Sequence, residues 1–287
     1  MLTDVKKIDH YPSASGIEYF NKQFYIIGDD ANDLLILDSN LVVKDSINLY
    51  SFAEKRIPKA IKADLEAITI LPGNKLLLLG SGSSTPYRNT AWIIDPVSRQ
   101  KENVRLDTFY QRLQANGLKE INIEGMTAIP GSIILSSRGN KGYPKNHLVF
   151  VNERFWEKQS NSSINAILFG SNADSAIFNG VSGLAYAAKS DQLICTVCTE
   201  DTRNNMDDGV IGKSYLWIVN DISSKKKWKA INPDKIIDLE VADQRFKGQK
   251  IESACIIKET KKFIHLVLSA DNDNGSSTLF KMVIPKD

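Results

Sequence analysis

The sequence predicts an all-β chain folded as a five-bladed β-propeller, and three observations carry that expectation. A short motif recurs five times, and each copy leads into short apolar runs separated by turn residues. The segment Val5 to Asp9 precedes the first copy and has no blade of its own. Internal repetition outranks composition here, because a missed repeat misassigns the whole fold.

The five copies are Ser15-Gly16-Ile17-Glu18-Tyr19, Asp64-Leu65-Glu66-Ala67-Ile68, Asn122-Ile123-Glu124-Gly125-Met126, Ser182-Gly183-Leu184-Ala185-Tyr186 and Lys250-Ile251-Glu252-Ser253-Ala254. Aligned on the glutamate, with Ala185 in its place in the fourth copy, they are spaced 48, 58, 61 and 67 residues apart. Such periods suit propeller blades carrying loop insertions. A second apolar run follows each copy: Phe24 to Ile27, Leu76 to Leu79, Ile133 to Leu135, Leu193 to Val197 and Ile264 to Leu268. Pro72-Gly73-Asn74 and Pro130-Gly131 supply turn chemistry before two of them. Third runs are Leu34 to Leu37, Ala91 to Ile94, Leu148 to Val151, Tyr215 to Val219 and Leu279 to Ile284. Fourth, outer strands are expected at Leu41 to Val43, Glu102 to Leu106, Ile164 to Phe169 and Ile236 to Val241.

The fifth unit ends at Asp287 without a fourth strand, so residues 5–9 complete it, close the ring and remove an unpaired edge. Four-stranded blades are thus expected at about 11–47, 62–106, 121–170, 181–241 and 250–287 plus 5–9, in one domain spanning 1–287. The insertion at 221–249 leaves room for a degenerate sixth unit. The chief helical signal is Asp107 to Asn116, with Asp107 as cap and Gly117 as stop.

Composition narrows the partners. A formal net charge of +2, from 36 basic and 34 acidic residues, provides no general field for a nucleic acid. Lys225-Lys226-Lys227 reads as a solvated loop, and no apolar stretch is long enough to span a membrane as a helix. Met1 to Lys7 lacks the features of a secretory signal, which implies a cytoplasmic protein if Met1 is the native start. Cys195 and Cys198 face opposite sides of a strand and, with Cys255, read as buried free thiols suited to a reducing compartment.

In a propeller with the motif strand innermost, long connections gather on one face: 48–63, 107–121, 170–181 and 221–249 between blades, with 80–90, 137–147 and 199–214 within them. Glu18, Glu66, Glu124 and Glu252 are expected to enter the central funnel near this face. Carboxylates crowded around an axis raise one another's proton affinity or recruit a cation. Calcium suits such oxygen donors, with Ser182 assisting where Ala185 leaves a gap. Equally open is a structural role, in which each glutamate accepts backbone N–H groups of a neighbouring blade or pairs with a basic loop residue. Above the ring the loops supply Asp29, Asp30, Arg88, Arg138, Arg203, and Asp271 with Asp273. Arginines from three adjacent blades would suit a phosphate or carboxylate, hence a small anionic ligand.

Asp64-Leu65-Glu66-Ala67-Ile68-Thr69 and Asn122-Ile123-Glu124-Gly125-Met126-Thr127, the latter followed by Ser136-Ser137-Arg138-Gly139, resemble the inner strands of the phytase-like, or esterase-like, bacterial propeller family. Ile251-Glu252-Ser253-Ala254-Cys255 and Gly16-Ile17-Glu18-Tyr19 are similar to motifs of calcium-dependent, apyrase-type nucleotidases. That second resemblance implies a calcium ion held by inner-strand glutamates and serines. Other signatures are missing: there is no Gly-x-Ser-x-Gly elbow and no His-Glu-x-x-His, and Asp271 to Gly275 lacks the spacing and the final glutamate of an EF-hand. Two functions from different classes follow. One is a metal-dependent hydrolase of phosphoesters or esters, in which Asp29 or Asp30 activates water and Arg88, Arg138 or Arg203 stabilises developing charge. The other is a non-catalytic scaffold that binds a ligand or protein on the long-loop face.

Overall fold

The computed structural model describes residues 1–170, 178–200, 211–271 and 275–286. It contains β1 (Leu2–Ile8), then a first blade of β2 (Ala14–Phe20), β3 (Gln23–Gly28), β4 (Asp33–Asp38) and β5 (Val43–Asn48). The second blade is β6 (Leu65–Ile70), β7 (Leu76–Gly80), β8 (Thr90–Ile94) and β9 (Lys101–Arg105), followed by α1 (Asp107–Ala115). The third is β10 (Ile123–Ile129), β11 (Ser132–Ser137), β12 (Asn146–Val151) and β13 (Ile164–Phe169). The fourth holds β14 (Asn179–Ala187), β15 (Gln192–Glu200), β16 (Ile211–Val219) and, after the short β17 (Ala230–Ile231), β18 (Lys235–Asp238). The fifth holds β19 (Lys250–Glu259), β20 (Phe263–Asp271) and β21 (Ser277–Pro285), with β1 as its outer strand.

All pairings within the blades are antiparallel, and the inner strands β2, β6, β10, β14 and β19 touch in that cyclic order. This is a five-bladed propeller closed as the sequence predicts: β1 pairs with β21 from Leu2 opposite Met282 to Ile8 opposite Ser277. The Ser277 hydroxyl reinforces the seam, accepting from Ala14 N at 3.0 Å and donating to Tyr11 O at 2.9 Å.

Five apolar clusters fill the five junctions between adjacent blades. The one between blades two and three, for example, joins Leu77 and Leu79 to Met126 and Leu135 and receives Phe109, Tyr110 and Leu113 of α1. The alternation of each strand is what makes this possible, since successive residues face the two neighbouring blades. Polar inner positions are thereby left for the axis.

Several boundaries differ from expectation. Asp107 does not cap α1: the N-cap is Leu106, without a side-chain cap, and Asp107 instead receives Arg105 and Asn89. Leu41 lies in a left-handed turn (φ +62°), so the first outer strand begins at Val43. The fourth outer strand ends at Asp238, whose carboxylate accepts Val241 N at 3.1 Å and starts a helical turn over Leu239–Ala242. The insertion at 221–249 holds no sixth blade. Residues 220–234 run from β16 to β18 on the face opposite the long loops, and Ala230–Ile231 adds a parallel strand to the edge of β13. That face is therefore not plain. The lysine run is tied down there: Lys225 meets Asp234 at 3.2 Å and Lys226 donates to Ser132 Oγ at 2.9 Å. Cys195, Cys198 and Cys255 are buried thiols outside any disulfide. Among the described residues no helix is long and apolar enough to cross a membrane.

Candidate functional site

Each inner strand carries a one-residue bulge against its neighbour, and the five bulged residues are Ser15, Glu66, Glu124, Ser182 and Glu252. A small residue follows each: Gly16, Ala67, Gly125, Gly183 and Ser253. The small residue sets the register. A Cβ on Gly183 would lie 2.7 Å from Glu252 O, and one on Gly125 only 2.8 Å from Gly183 Cα, so the inner strands close around the axis only where side chains are minimal.

This corrects the glutamate-based alignment, which slips by three residues in the first and fourth copies. The ring holds three glutamates and two serines, with Ser15 in the place expected for Glu18 and Ser182 in the place expected for Ala185. Glu18 lies three residues further along β2 and serves the blade junction, accepting Tyr19 N at 2.9 Å and Ile70 N of the next blade at 3.1 Å. Burial pushes its proton affinity up to about 7 despite those two N–H groups. The serines also stitch blades: Ser15 Oγ donates to Leu65 O at 2.5 Å and Ser182 Oγ to Ile251 O at 2.7 Å.

The three ring glutamates face a charged environment. Glu252 Oε1 pairs with Lys250 Nζ at 3.0 Å. Glu124 Oε1 accepts Asn122 Nδ2 at 2.5 Å, while its Oε2 lies 3.8 Å from Arg138 Nη1. Glu66 makes no hydrogen bond among the described residues. Burial raises the proton affinity of Glu124 to about 8; Arg138 opposes this and Glu252 adds to it. Glu66 is pushed well up, first by burial and then by Glu124, Asp64 and Asp29.

The densest part of the site is off the axis, at the junction of blades one and two. Asp29, Asp64 and Glu66 present carboxylate oxygens within 4.8 Å of one another, the one such acidic group among the described residues. Lys62 Nζ stands against it, 2.7 Å from Asp64 Oδ1 and bonded to Asp29 Oδ2. Burial would strip that ammonium of its proton, but Asp29, Asp64 and Glu66 outweigh burial and raise its proton affinity. Asp64 Oδ2 further accepts Ser81 Oγ at 2.5 Å and Arg88 Nη1 at 2.7 Å. The Asp64 backbone is left-handed (φ +53°), a strained state for a residue with a Cβ, and Ser81 N fixes it by donating to Asp64 O at 2.8 Å. Asp30 Oδ2 receives Arg56 Nε at 2.6 Å. Three buried polar atoms in this network have no partner: Asp29 Oδ1, Asp30 Oδ1 and Arg88 Nη2.

The structure thus brings Asp29, Glu66 and Arg88 together, with Asp30 close by. Arg138 joins Glu124, and its Nη2 also lies 3.4 Å from Cys198 Sγ. Arg203 and Asp273 lie outside the described residues. Arg88 and Arg138 each turn to an acid of their own blade. Sequence reasoning missed Lys62, Asp64, Asn122 and Lys250. The last three each stand two positions before a ring residue, a polar column that becomes visible once the copies are aligned on their small residues.

Fold and site together define a five-bladed propeller with a charged, carboxylate-rich funnel. A family profile matches residues 10–284, and the chain belongs to that family, DUF6929, a family of unknown function. No curated protein matches the chain. Among solved structures it is similar to a glutaminyl cyclase of Myxococcus xanthus, at 10% identity and a TM-score of 0.53, covering 99% of this chain and 97% of that one. It is also similar to virginiamycin B lyase of Staphylococcus aureus, at 9% identity and a TM-score of 0.44, covering 97% and 99%. An auxiliary nutrient binding protein of Bacteroides thetaiotaomicron matches at 9% identity and a TM-score of 0.45, covering 94% and 69%. At such identities the cyclase speaks for the fold alone. These findings lend no support to the phytase-like or apyrase-type resemblance, whose motifs are short and whose glutamate register the structure revises.

Proposed function

We propose that the funnel is a hydrolytic site for a phosphoester or ester, assisted by a calcium-type cation held at Asp29, Asp64 and Glu66. The observation that carries this reading is the pair of unspent donors within one tight acidic group: Asp29 Oδ1, buried without a partner, and the Glu66 carboxylate, without a hydrogen bond. Hard oxygen donors of this kind fit calcium, and Lys62 marks the place as one that holds positive charge. When bound, such an ion supplies polarisation of a substrate oxygen.

The chain's own residues supply the rest. Asp30, anchored by Arg56 through Oδ2, leaves Oδ1 to accept a proton from water. Arg88, anchored to Asp64 through Nη1, leaves Nη2 to meet developing negative charge. Glu124 keeps its proton to about pH 8 and is suited to donate it to a leaving oxygen. The test is a panel of phosphoesters and esters assayed in calcium and in chelator. Turnover in calcium that falls at least about a hundredfold in Asp29→Asn and Glu66→Gln supports the reading. Turnover indifferent to both variants refutes it.

One observation favours a non-catalytic scaffold instead. Apart from Glu66, every carboxylate of the network stands in an ion pair, so the pairs close on themselves. A calorimetric melting temperature that is identical in calcium and in chelator supports this second reading, since any ion bound to the folded state must stabilise it.

A further inference from the structure

A cavity of about 390 Å³ lies between the segment that joins blades one and two and strands β8 and β9 of blade two. Tyr50, Phe52, Ile61, Ala63 and Tyr87 supply most of its lining, with Asn103 and Arg105 at its polar side. Its size falls within the range of small-ligand pockets, roughly 300–1,000 Å³. Neighbouring residues of one backbone segment serve both sites. Ile61 and Ala63 line the cavity while Lys62 and Asp64 enter the acidic group; on the next loop Tyr87 lines the cavity while Arg88 reaches Asp64.

The polar groups of the lining are largely spent on one another. Arg105 is held by both oxygens of Asp107 and by Pro86 O. Asn103 Nδ2 donates to Thr90 Oγ1 at 2.9 Å and to Ala91 O at 3.2 Å. Tyr50 Oη accepts Trp92 Nε1 at 2.8 Å, and its own O–H donates to nothing among the described residues. What remains is apolar, largely aromatic surface and one spare donor. Arg105, the one cation of the lining, is already paired with Asp107, which disfavours a phosphate there.

We infer that this cavity binds an uncharged apolar group, aryl or branched alkyl, bearing one acceptor oxygen that Tyr50 O–H meets. It seats that part of a substrate whose reacting end lies at Asp29, Asp64 and Glu66. For turnover this assignment rests on the hydrolase reading and narrows it to apolar esters; for binding it stands alone. Phe52 and Tyr87, 36% and 47% exposed, are the exposed aromatic residues of the cavity lining.

The probe is 2-acetylnaphthalene, an uncharged fluorescent aryl ketone, titrated into the full chain. Saturable binding is expected. Ile61→Trp, which fills the cavity, is expected to weaken it at least about tenfold, and Tyr50→Phe about three- to tenfold through loss of a neutral hydrogen bond. Melting curves check that each variant folds. Should Ile61→Trp not fold, Phe52→Ala combined with Tyr87→Ala at the exposed rim replaces it, with the same expected loss. No saturable binding to the parent chain, or binding unchanged by these variants, overturns the inference. Ketone binding without turnover of 1-naphthyl acetate or any phosphoester leaves the cavity assignment standing and sinks the hydrolase. Turnover of small esters without ketone binding does the reverse.

Discussion

Replacing Glu124 by glutamine tests the electrostatics of the funnel with a number attached. An ordinary glutamate releases its proton near 4.5, whereas Glu124 holds it to about 8. Between those values the folded chain binds more protons than the unfolded chain, so stability falls as pH rises through this window. At about 1.4 kcal/mol per pH unit the full penalty is about 5 kcal/mol, absent below pH 4.5 and complete above pH 8. An unfolding entropy of about 2.1 cal/mol/K per residue gives a chain of 287 residues about 0.6 kcal/mol/K, so the loss is about 8 °C in melting temperature. Glutamine preserves the acceptor for Asn122 Nδ2, and Arg138 retains its contact with Cys198. Differential scanning calorimetry from pH 5 to pH 8 in chelator should show the parent losing stability, and Glu124→Gln losing about 6 °C less, the part of the full shift that falls within this range. Glu18, raised to about 7, and Asp29, raised by burial, contribute slopes of the same sign that the variant keeps, whereas Glu66, raised first by burial and then by Glu124, is relieved of the latter in the variant. A parent whose melting temperature is flat or rises from pH 5 to pH 8 refutes the reasoning, because it would mean that Arg138 and Asn122 compensate the buried charge fully.

Other expectations follow from the corrected register. Glu18→Gln should cost about 1 kcal/mol through a weaker bond to Ile70 N and leave the calcium-induced rise in melting temperature intact. Asp29→Asn should abolish that rise while Glu252→Gln preserves it, since Glu252 lies outside the tight acidic group; equal effects of the two variants would argue for an ion on the axis. Gly183→Ala should destabilise by about 1–3 kcal/mol in urea unfolding, because its Cβ meets backbone at 2.7 and 2.8 Å and backbone cannot swing away.

The architecture was legible because it rests on periodicity. Five apolar strand sets separated by turn residues can bury their faces only by stacking in a ring, and the unmatched N-terminal strand had one place to go. The outer strands were read less well, since one buried face leaves a weaker pattern and local capping by Asp238 decides where the fourth one ends. The ring was half legible. Glu66, Glu124 and Glu252 were found, but chemical likeness misled the alignment at Glu18. Backbone proximity around the axis depends on the small residues, which look unremarkable in sequence beside a glutamate. Asp64 and Lys62 were missed for another reason: their pairing is a contact between a loop and a strand entry, which no spacing rule encodes.

The asymmetry of the ring sets the junction of blades one and two apart from the rest. Blades one and four carry serines that are committed to neighbouring carbonyls, so neither offers a charge to the axis. Glu124 and Glu252 each have an adjacent cation, whereas Glu66 has only Lys62, which it shares with Asp29 and Asp64. Three carboxylates against one ammonium leave an excess of acid, relieved in part by Arg88 at Asp64. That excess is local, buried and strained, because it is held by a left-handed Asp64 that a relaxed surface cluster would not need. An imbalance of this kind is what a site that receives a cation or holds a proton needs, and it is the feature on which the hydrolase reading rests. On the proposed reading, the working end of the funnel is therefore sought at the junction of blades one and two, and not on the symmetry axis that first draws attention to the glutamates.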